Sequence, residues 1–379
     1  MAIDKVVSAS ITDSSVTSAK VASGVLQPNF RNIIINGDMS QAQRTTSASS
    51  LTSSGYHALD RFNSGINSQG TWTISQDTTV PTGQGFAKSL KYDCTTADSS
   101  PASGDYVWLE QKIEGQNLQY LKKGTSSAES VTISFWVYAT KTGTNILELL
   151  DKDNTRHICQ SYTISSSNTW EKKEITFAGD TTGAFNNDNG ESASLLFWLG
   201  AGSNYTSGSL ATSWASFSGA AANRAVGQVN HADSTSNNFY ITGIQMESGT
   251  AASDFEFLPV DVNINRCQRY FERTTAVGAS DNYVNFASGV VQNSSYCTYC
   301  FLWKTKKRAN PTMSSTAAST FLNENGASYP AGSSISFSQI NKTSSQCDLN
   351  SSSGITLGRG CLMKSNGTND AYIDASSEL

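Results

Sequence analysis

The chain has 379 residues, which is enough for two or three domains of roughly 100 to 200 residues each. Charged residues make up 15% of the chain, against about 25% in typical soluble proteins, and Ser, Thr, Asn and Gly take their place. The formal net charge of −5 excludes a dedicated nucleic-acid binder, because neutralising phosphates needs a clustered excess of Lys and Arg.

The sequence also predicts where the protein is made. No stretch approaches the roughly 18 consecutive apolar residues of a membrane-spanning helix, and the opening MAIDKVVSASITDSS lacks the apolar segment of a signal peptide. We therefore expect no membrane insertion and no export by the general secretory route. The seven cysteines are irregularly spaced and give no disulfide framework, so we expect free thiols in a reducing cytosol.

Residues 1–31 are small and polar, with Ile11, Val16, Val21 and Leu26 as regularly spaced apolar positions. Four apolar residues cannot enclose a core, so the segment becomes ordered only by docking on a partner or on copies of itself, or by folding back on the chain. The first strand of a β-domain is predicted next, at Ile33–Ile35, because β-branched side chains favour a buried strand. Asn36 and Gly37 accept positive φ and are predicted to end this strand in a tight turn.

Residues 32–258 are predicted to form a large β-sandwich. In SVTISFWVYAT, Val131, Ile133, Phe135 and Val137 alternate with other residues, which is the period-two pattern of a strand with one buried face. NILELL and RHICQSYTI flank the turn that begins at Asp151 and form a predicted hairpin. Further strands are predicted at TWTIS, KSLKYDC, YVWLEQKI, WEKKEITFAG, ASLLFWLGAG and NFYITGIQM. Strands without crossover helices indicate two packed antiparallel sheets, a sandwich or jelly roll.

Two regions interrupt the strand pattern. Residues 200–238 contain few aliphatic side chains and form a predicted long excursion, where binding is commonly placed on β-sandwiches. In VNINRCQRYFER, the residues Ile264, Cys267, Gln268 and Phe271 share one side of a predicted short helix, the linker at 259–273. Residues 274–379 then form a smaller β-sandwich, with strands predicted at NYVNFASGVV, SYCTYCFLW, SISFSQI, GCLMK and AYIDASSEL. The predicted fold class is all-β: two jelly-roll-like antiparallel sandwiches, a helical linker and an extended N-terminal attachment segment.

Aromatic side chains are candidates for sugar binding, because a ring covers the apolar face of a pyranose while amides and carboxylates satisfy its hydroxyls. In the excursion, Tyr205, Trp214 and Phe217 are such candidates, with Asn204, Asn223 and Asn230 as polar partners. The smaller sandwich offers Tyr283, Trp303 and Tyr329. The alternative is that these rings fill the core. The basic run from Lys304 to Arg308 either attracts phosphate or acidic sugars or is a solvated strand end.

No metal, cofactor or catalytic residue is predicted. Cys297 and Cys300 have the spacing of half a zinc site, but neither a second such pair nor a pair of histidines follows. The oxygen-rich loop with Asp180, Asp188, Asn189 and Glu191 either holds a calcium or is a solvated loop, and we favour the latter. The three histidines, His57, His157 and His231, stand in no nucleophile motif and are expected at the surface or as loop tethers. We expect a protein that is not an enzyme.

Several segments, taken together and in order, resemble tail-fibre and related virion proteins of marine tailed bacteriophages of the cyanophage or pelagiphage type. They are RNIIINGDMSQAQR, GYHALDRF, VTISFWV, ELLDKDNTRH, NTWEKKEITFAGDTTGAF, ANRAVGQVNHADSTSNNFYITGIQMESGTAASDFEF and RCQRYF, with KRANPTM and AYIDASSEL in the C-terminal part. The resemblance covers residues 30–310 and the last ten residues; residues 1–31 match more loosely.

The resemblance implies a homotrimeric fibre or spike with a sandwich like a carbohydrate-binding module, and it implies no shared catalytic residues. The expected location is the virion tail, assembled in the host cytoplasm. The expected partners are other virion proteins, through residues 1–31, and a host surface glycan or lipopolysaccharide. Two alternatives stay open: a capsid decoration or head-fibre protein, and a polysaccharide depolymerase.

Overall fold

The computed structural model describes residues 30–217, 219, 221–326, 328–351 and 354–379. Of the predicted attachment segment, only Phe30 and Arg31 lie within these ranges, so that prediction falls outside the described residues. Across these residues the fold is all-β and every paired strand is antiparallel, as predicted. No helix in the described ranges is long and apolar enough to cross a membrane.

The large sandwich contains strands β1 to β11 and one short helix, α1. The bounds are β1 Ser47–Gly55, β2 Asn63–Asp77, β3 Ser89–Thr96, β4 Tyr106–Glu114, β5 Val131–Ala139, β6 Gly143–Asp151, β7 Arg156–Ile164, β8 Glu171–Phe177, β9 Glu191–Ala201, α1 Ser203–Thr206, β10 Ala215–Ser216 and β11 Asn238–Ser248. The predicted hairpin is confirmed, because β6 and β7 pair from Gly143 with Ile164 to Asp151 with Arg156.

Strand β2 belongs to both layers of this sandwich. The first layer has the order β10-β7-β6-β9-β4-β2, the second continues as β2-β3-β11-β5-β8, and β1 also pairs with β2. The first half of β2 pairs with β4 from Asn63, and the second half pairs with β3 from Thr71. Between the halves, Ser68 and Gly70 have φ of 57° and 75°, and this left-handed backbone turns the strand from one layer into the other.

The core lies between the two layers. Phe135 of β5 meets Tyr162 of β7 and Phe197 of β9 edge to face, with ring centroids 5.1 and 5.0 Å apart. The inward residues predicted for β5, from Val131 to Val137, are all buried in this core. Their burial against the first layer removes apolar surface from water and is the main term that holds the layers together.

The prediction of a first strand at Ile33–Ile35 is wrong. The three isoleucines are buried, but their backbone forms bends rather than a strand. The Ile34 amide donates to the Asn32 side chain at 3.0 Å and the Ile35 amide donates to Gln111 Oε1 at 2.7 Å. Amide side chains satisfy these two groups, and the backbone bond from the Ile33 amide to the Met246 carbonyl of β11, at 2.9 Å, does not continue as a strand ladder. The first strand is instead the small, polar run of β1, from Ser47 to Gly55.

The predicted helix is present but shorter. Helix α2 covers Val260–Gln268 and buries Asn263, Cys267 and Gln268. Phe271, predicted on the same side of the helix, instead begins strand β12, where it pairs with Ser376. The helix therefore ends at Gln268, and Phe271 joins the β12–β20 ladder although the apolar period of the helix extends to it. The boundaries between domains stay a prediction.

The smaller sandwich contains strands β12 to β20. Their bounds are β12 Phe271–Thr275, β13 Asn285–Val291, β14 Tyr296–Leu302, β15 Thr312–Ser315, β16 Phe321–Glu324, β17 Gly332–Ser338, β18 Ser344–Ser351, β19 Gly360–Ser365 and β20 Tyr372–Ser376. A three-stranded sheet, β12-β20-β15, faces a six-stranded sheet, β16-β19-β13-β14-β18-β17. Cys297 is buried and Cys300 exposed on β14, as expected for residues three apart on a strand.

Charged side chains join the two sandwiches. Arg61 of the large sandwich is 1% exposed, pairs with Glu378 and donates to the Lys112 carbonyl at 2.6 Å. Its guanidinium also stacks on the Tyr270 ring, 3.5 Å from the centroid. From the other side, Arg308 donates to the carbonyl oxygens of Asn189, Ser377 and Glu378. Hydrogen bonds from the buried Arg61 and the half-buried Arg308 therefore help to fix the relative position of the two sandwiches.

Candidate functional site

A groove of about 460 Å³ opens at the β16 edge of the six-stranded sheet. Its lining contains two of the tyrosines predicted from sequence. The lining residues are Tyr283, Leu322, Glu324, Tyr329, Lys364 and Asn366. The two tyrosines lie on different loops, and the structure brings them to one site.

Both tyrosines are exposed, at 53% for Tyr283 and 58% for Tyr329. The Tyr283 amide donates to Asp281 Oδ1 at 2.8 Å, an Asx turn that fixes the loop before β13. Gly367 borders the ring, since a Cβ there would lie 3.6 Å from the Tyr283 hydroxyl. Tyr329 follows a tight turn in which Asn325 pairs with Ser328. Short, hydrogen-bonded turns therefore hold both rings at the surface.

Between the tyrosines, the groove has an apolar floor and a balanced charge. Leu322 is buried and lies opposite Lys364 in the β16–β19 ladder. Lys364 forms an ion pair with Glu324. Asn366 donates its Nδ2 to the Ser319 carbonyl at 3.0 Å, and no hydrogen bond within the described ranges ends on its Oδ1. That oxygen is available as an acceptor.

This arrangement suits a neutral sugar. Two exposed rings can cover apolar pyranose faces, and the Glu324–Lys364 pair and the Asn366 amide can bond hydroxyl groups. Because Glu324 and Lys364 neutralise each other, the groove carries no net charge that would require an ionic ligand. Trp303, the third candidate of this sandwich, lies outside the groove: it is half-buried and donates Nε1 to the Asn341 carbonyl at 3.2 Å.

The three aromatic candidates of the excursion pack against the large sandwich. Tyr205 is 8% exposed and lies 5.3 Å from the Trp198 ring. Trp214 is half-buried and donates Nε1 to the Ala178 carbonyl at 2.7 Å, and Phe217 lies 4.7 Å from the Arg224 guanidinium. The excursion thus lies across β6, β7 and β9 and covers their outer face. Packing is the role that these contacts show, and a ligand role for the three stays a prediction.

A buried ionic cluster holds the excursion on that face. Arg224 donates to Glu148 through Nε and Nη2, both at 2.9 Å. His157 Nδ1 and Trp198 Nε1 complete the carboxylate shell at 2.8 and 2.9 Å. Burial alone would raise the pKa of Glu148, but the Arg224 charge and these hydrogen bonds hold the pKa below its usual range. Glu148 is therefore ionised, and its position tethers Arg224 of the excursion to β6.

Two carboxylates of the oxygen-rich loop, Asp180 and Asp188, have protein partners. Asp180 pairs with Lys123 at 3.1 Å and with Arg156 at 2.7 Å. Asp188 accepts the Gly190 amide at 2.8 Å. Within the described ranges, the one group of three residues with metal-ligand spacing is Glu148, His157 and Cys159. The Glu148 oxygens are already occupied by Arg224 and Trp198, so this group fits an ionic cluster better than a metal site.

The histidines were expected to be surface or tethering residues, and His231 is a buried tether. It is 1% exposed and its Nε2 lies 2.7 Å from Asn145 Oδ1, which accepts its proton. Burial lowers the pKa of His231 to about 3.

Because this pKa lies below that of the unfolded chain, the free energy of unfolding should fall as pH drops below about 6.5, by about 2 kcal/mol at pH 5. Urea unfolding of the protein and of His231→Gln at pH 7 and pH 5 measures this. In the variant, the free energy of unfolding should differ less between pH 7 and pH 5 than it does in the parent protein. An unchanged difference would show that His231 does not cause the pH dependence.

No protein-family model matches the sequence, and no curated protein matches it. Among solved structures, the enzymatically active domain of tailspike protein 4 of bacteriophage CBA120 is 13% identical with a TM-score of 0.30, and the alignment covers 57% of this chain and 21% of that chain. The family 11 carbohydrate-binding module of Clostridium thermocellum is 11% identical with a TM-score of 0.27, over 55% of this chain and 98% of the module. TmCBM61, solved with β-1,4-galactotriose, is 8% identical with a TM-score of 0.29, and the alignment covers 57% of this chain and 99% of TmCBM61. Likenesses this weak assign neither a family nor a function.

Proposed function

We propose that this chain is a structural protein of a tailed bacteriophage, a fibre or spike that attaches the particle to its host by binding surface glycans. The groove between Tyr283 and Tyr329 carries the proposal, since two exposed rings and free polar atoms meet there over a buried leucine. The resemblance of the sequence to virion proteins supports the location. Residues 1–31 would join the other virion proteins, and a homotrimer would present three copies of the groove.

Binding rather than cleavage is the activity that this groove favours. Among the described residues that line it, Glu324 alone carries a carboxylate, and Lys364 pairs with it. Glycoside cleavage uses two carboxylates on either side of the bond. A contact of this size is weak on its own, but several copies engaged together raise the apparent affinity by roughly 10² to 10⁴ when the geometry allows.

A glycan array of bacterial surface polysaccharides, probed with the labelled full-length chain, tests the groove. We expect binding to a neutral-sugar glycan, and we expect Tyr283→Ala and Tyr329→Ala each to weaken it roughly 10-fold or more, because exposed aromatic anchors dominate such contacts. Leu302→Ala is the control, since it removes a side chain that is 75% exposed in the same sandwich but outside the groove.

Two results would contradict the proposal. If the tyrosine variants bind the glycan as tightly as the Leu302 control, the groove does not contact the glycan. Sustained release of new reducing ends from a bound polysaccharide would favour the depolymerase alternative. Labelling of intact particles with an antibody to the chain tests the location, and label confined to capsid vertices would favour the decoration alternative.

A further inference from the structure

A second groove lies where the two sandwiches and helix α2 meet. One end is a pocket of about 400 Å³. Its rim and floor include Phe30, Ile33, Tyr120, Arg266, Arg269 and Tyr270. It shares no lining residue with the Tyr283 groove.

Arg266 is a cation without an acid in this pocket. Its Nη2 donates to the Asn32 carbonyl at 3.2 Å, whereas its Nη1 is buried and has no hydrogen-bond partner. Within the described ranges it forms no ion pair, in contrast to Arg269, which binds Glu114 at 2.7 Å. Glu256 acts on Arg266 from nearby, but its Oε2 accepts the Asn32 amide at 3.0 Å and its Oε1 faces Arg31. A buried, unsatisfied guanidinium nitrogen is costly, and an arriving carboxylate would relieve that cost.

The rim of the pocket offers stacking surfaces and amides. Phe30 is 64% exposed and Tyr120 is 46% exposed. Gln116 and Asn117, both exposed, also line the pocket. An aromatic ring, an amide and a free guanidinium nitrogen are the groups that would hold the ring, the hydroxyls and the carboxylate of an acidic sugar.

The pocket continues into a basic channel of about 390 Å³ that shares Gln116 and Arg269 with it. Lys306, Lys307, Arg308 and Lys342 line this channel. Lys307 is buried and pairs with Glu272, and Arg308 donates to backbone carbonyls. Lys306 and Lys342 are exposed and form no ion pair in the part of the chain that the structure describes.

Six cationic side chains thus line pocket and channel, against four carboxylates: Asp188 in the lining, Glu114 on Arg269, Glu272 on Lys307 and Glu256 near Arg266. This local excess of positive charge contrasts with the net charge of −5 of the whole chain. The lysine run of the sequence therefore lies beside the Arg266 pocket.

We infer that pocket and channel together bind an acidic polysaccharide whose sugars carry carboxylates. One carboxylate binds the Arg266 guanidinium, which turns so that its unpaired Nη1 reaches the pocket. The sugar ring lies against Tyr120, and the following carboxylates lie along Lys306 and Lys342. This site goes beyond the proposed neutral-glycan groove and does not depend on it.

Calorimetric titration of the full-length chain with three uronate oligomers, of galacturonate, mannuronate and glucuronate, tests the inference. We expect at least one to bind, and to bind more weakly as salt is raised. The neutral oligomer of the same linkage should not bind at this site. Arg266→Gln should weaken the uronate roughly 10-fold to 100-fold, the ratio for losing one charge-assisted hydrogen bond.

Two control variants and one further test variant complete the experiment. Arg359→Gln removes an exposed arginine outside the channel and should leave uronate affinity unchanged. Tyr120→Ala changes an exposed side chain, so it should fold normally and still weaken binding. Tyr283→Ala should leave uronate binding intact, which separates this test from that of the neutral-glycan groove. The inference is overturned if no uronate binds, if Arg266→Gln binds as tightly as Arg359→Gln, or if inorganic phosphate displaces the uronate at equal concentration.

Discussion

Replacing Arg224 with methionine is expected to lower the free energy of unfolding by about 3–5 kcal/mol, because it leaves the buried Glu148 without its cation. Glu148 is fully buried and Arg224 is 4% exposed, so water cannot replace the lost partner. Of the hydrogen bonds around the carboxylate, those from His157 and Trp198 would remain. Urea unfolding at pH 7 measures the loss.

The double variant Glu148→Gln with Arg224→Met identifies the cause. It removes both charges while the glutamine oxygen can still accept from Trp198, so it should be less destabilised than Arg224→Met alone. Arg359→Met, at an exposed arginine, should change stability by less than about 0.5 kcal/mol. A loss near 1 kcal/mol for Arg224→Met, or strict additivity in the double variant, would show that the pair does not hold the excursion.

Glu378→Ala is expected to cost about 3–5 kcal/mol as well, since it leaves the buried Arg61 without a carboxylate. Arg61 would keep its bond to the Lys112 carbonyl and its stacking on Tyr270, but its Nε already lacks a partner. Arg44, which contacts Glu378 at 3.2 Å, would lose an acid at the same time. Because these arginines belong to the large sandwich, we expect the smaller one to lose its attachment first. Urea unfolding followed by far-ultraviolet circular dichroism, and by hydrogen–deuterium exchange of peptides from residues 274–379, measures this.

The matched control is Glu174→Ala, which breaks an ion pair with Lys172 at the surface. Both side chains of that pair are more than a third exposed, at 49% and 39%, and such pairs contribute about 0 to 1 kcal/mol. Equal loss of stability in Glu174→Ala and Glu378→Ala would show that the sandwiches are joined by other contacts. The same conclusion follows if both signals of Glu378→Ala have the same unfolding midpoint as in the parent protein.

Local pattern predicted most of the fold. Period-two alternation located β5, and the turn at Asp151 located the β6–β7 hairpin, because both signals depend on neighbours in sequence. The strand prediction at Ile33–Ile35 is wrong because the side chains of Asn32 and Gln111 supply two of the hydrogen bonds that a strand partner would have given. Strand β1 has no alternating apolar face, so only its pairing with β2 reveals it. The same holds for β15 and β18, whose residues are mostly small or polar.

The sequence named Tyr283 and Tyr329 as candidate sugar-binding rings, with core packing as the alternative. Their convergence over Leu322 could not be predicted, because it depends on how β13 and β16 both pair with β19. Tyr120 and Arg266 were not singled out as binding residues, because nothing local distinguishes an unpaired buried arginine from a solvated one. Phe30 and Tyr120 gave a weak signal, as large apolar rings within polar stretches.

Strand β2 has a consequence for how the large sandwich unfolds. Its first half is bonded to β4 of one layer and its second half to β3 of the other, so pulling β2 out leaves an unpaired edge in both layers. We therefore expect the two layers to lose their order together rather than one after the other.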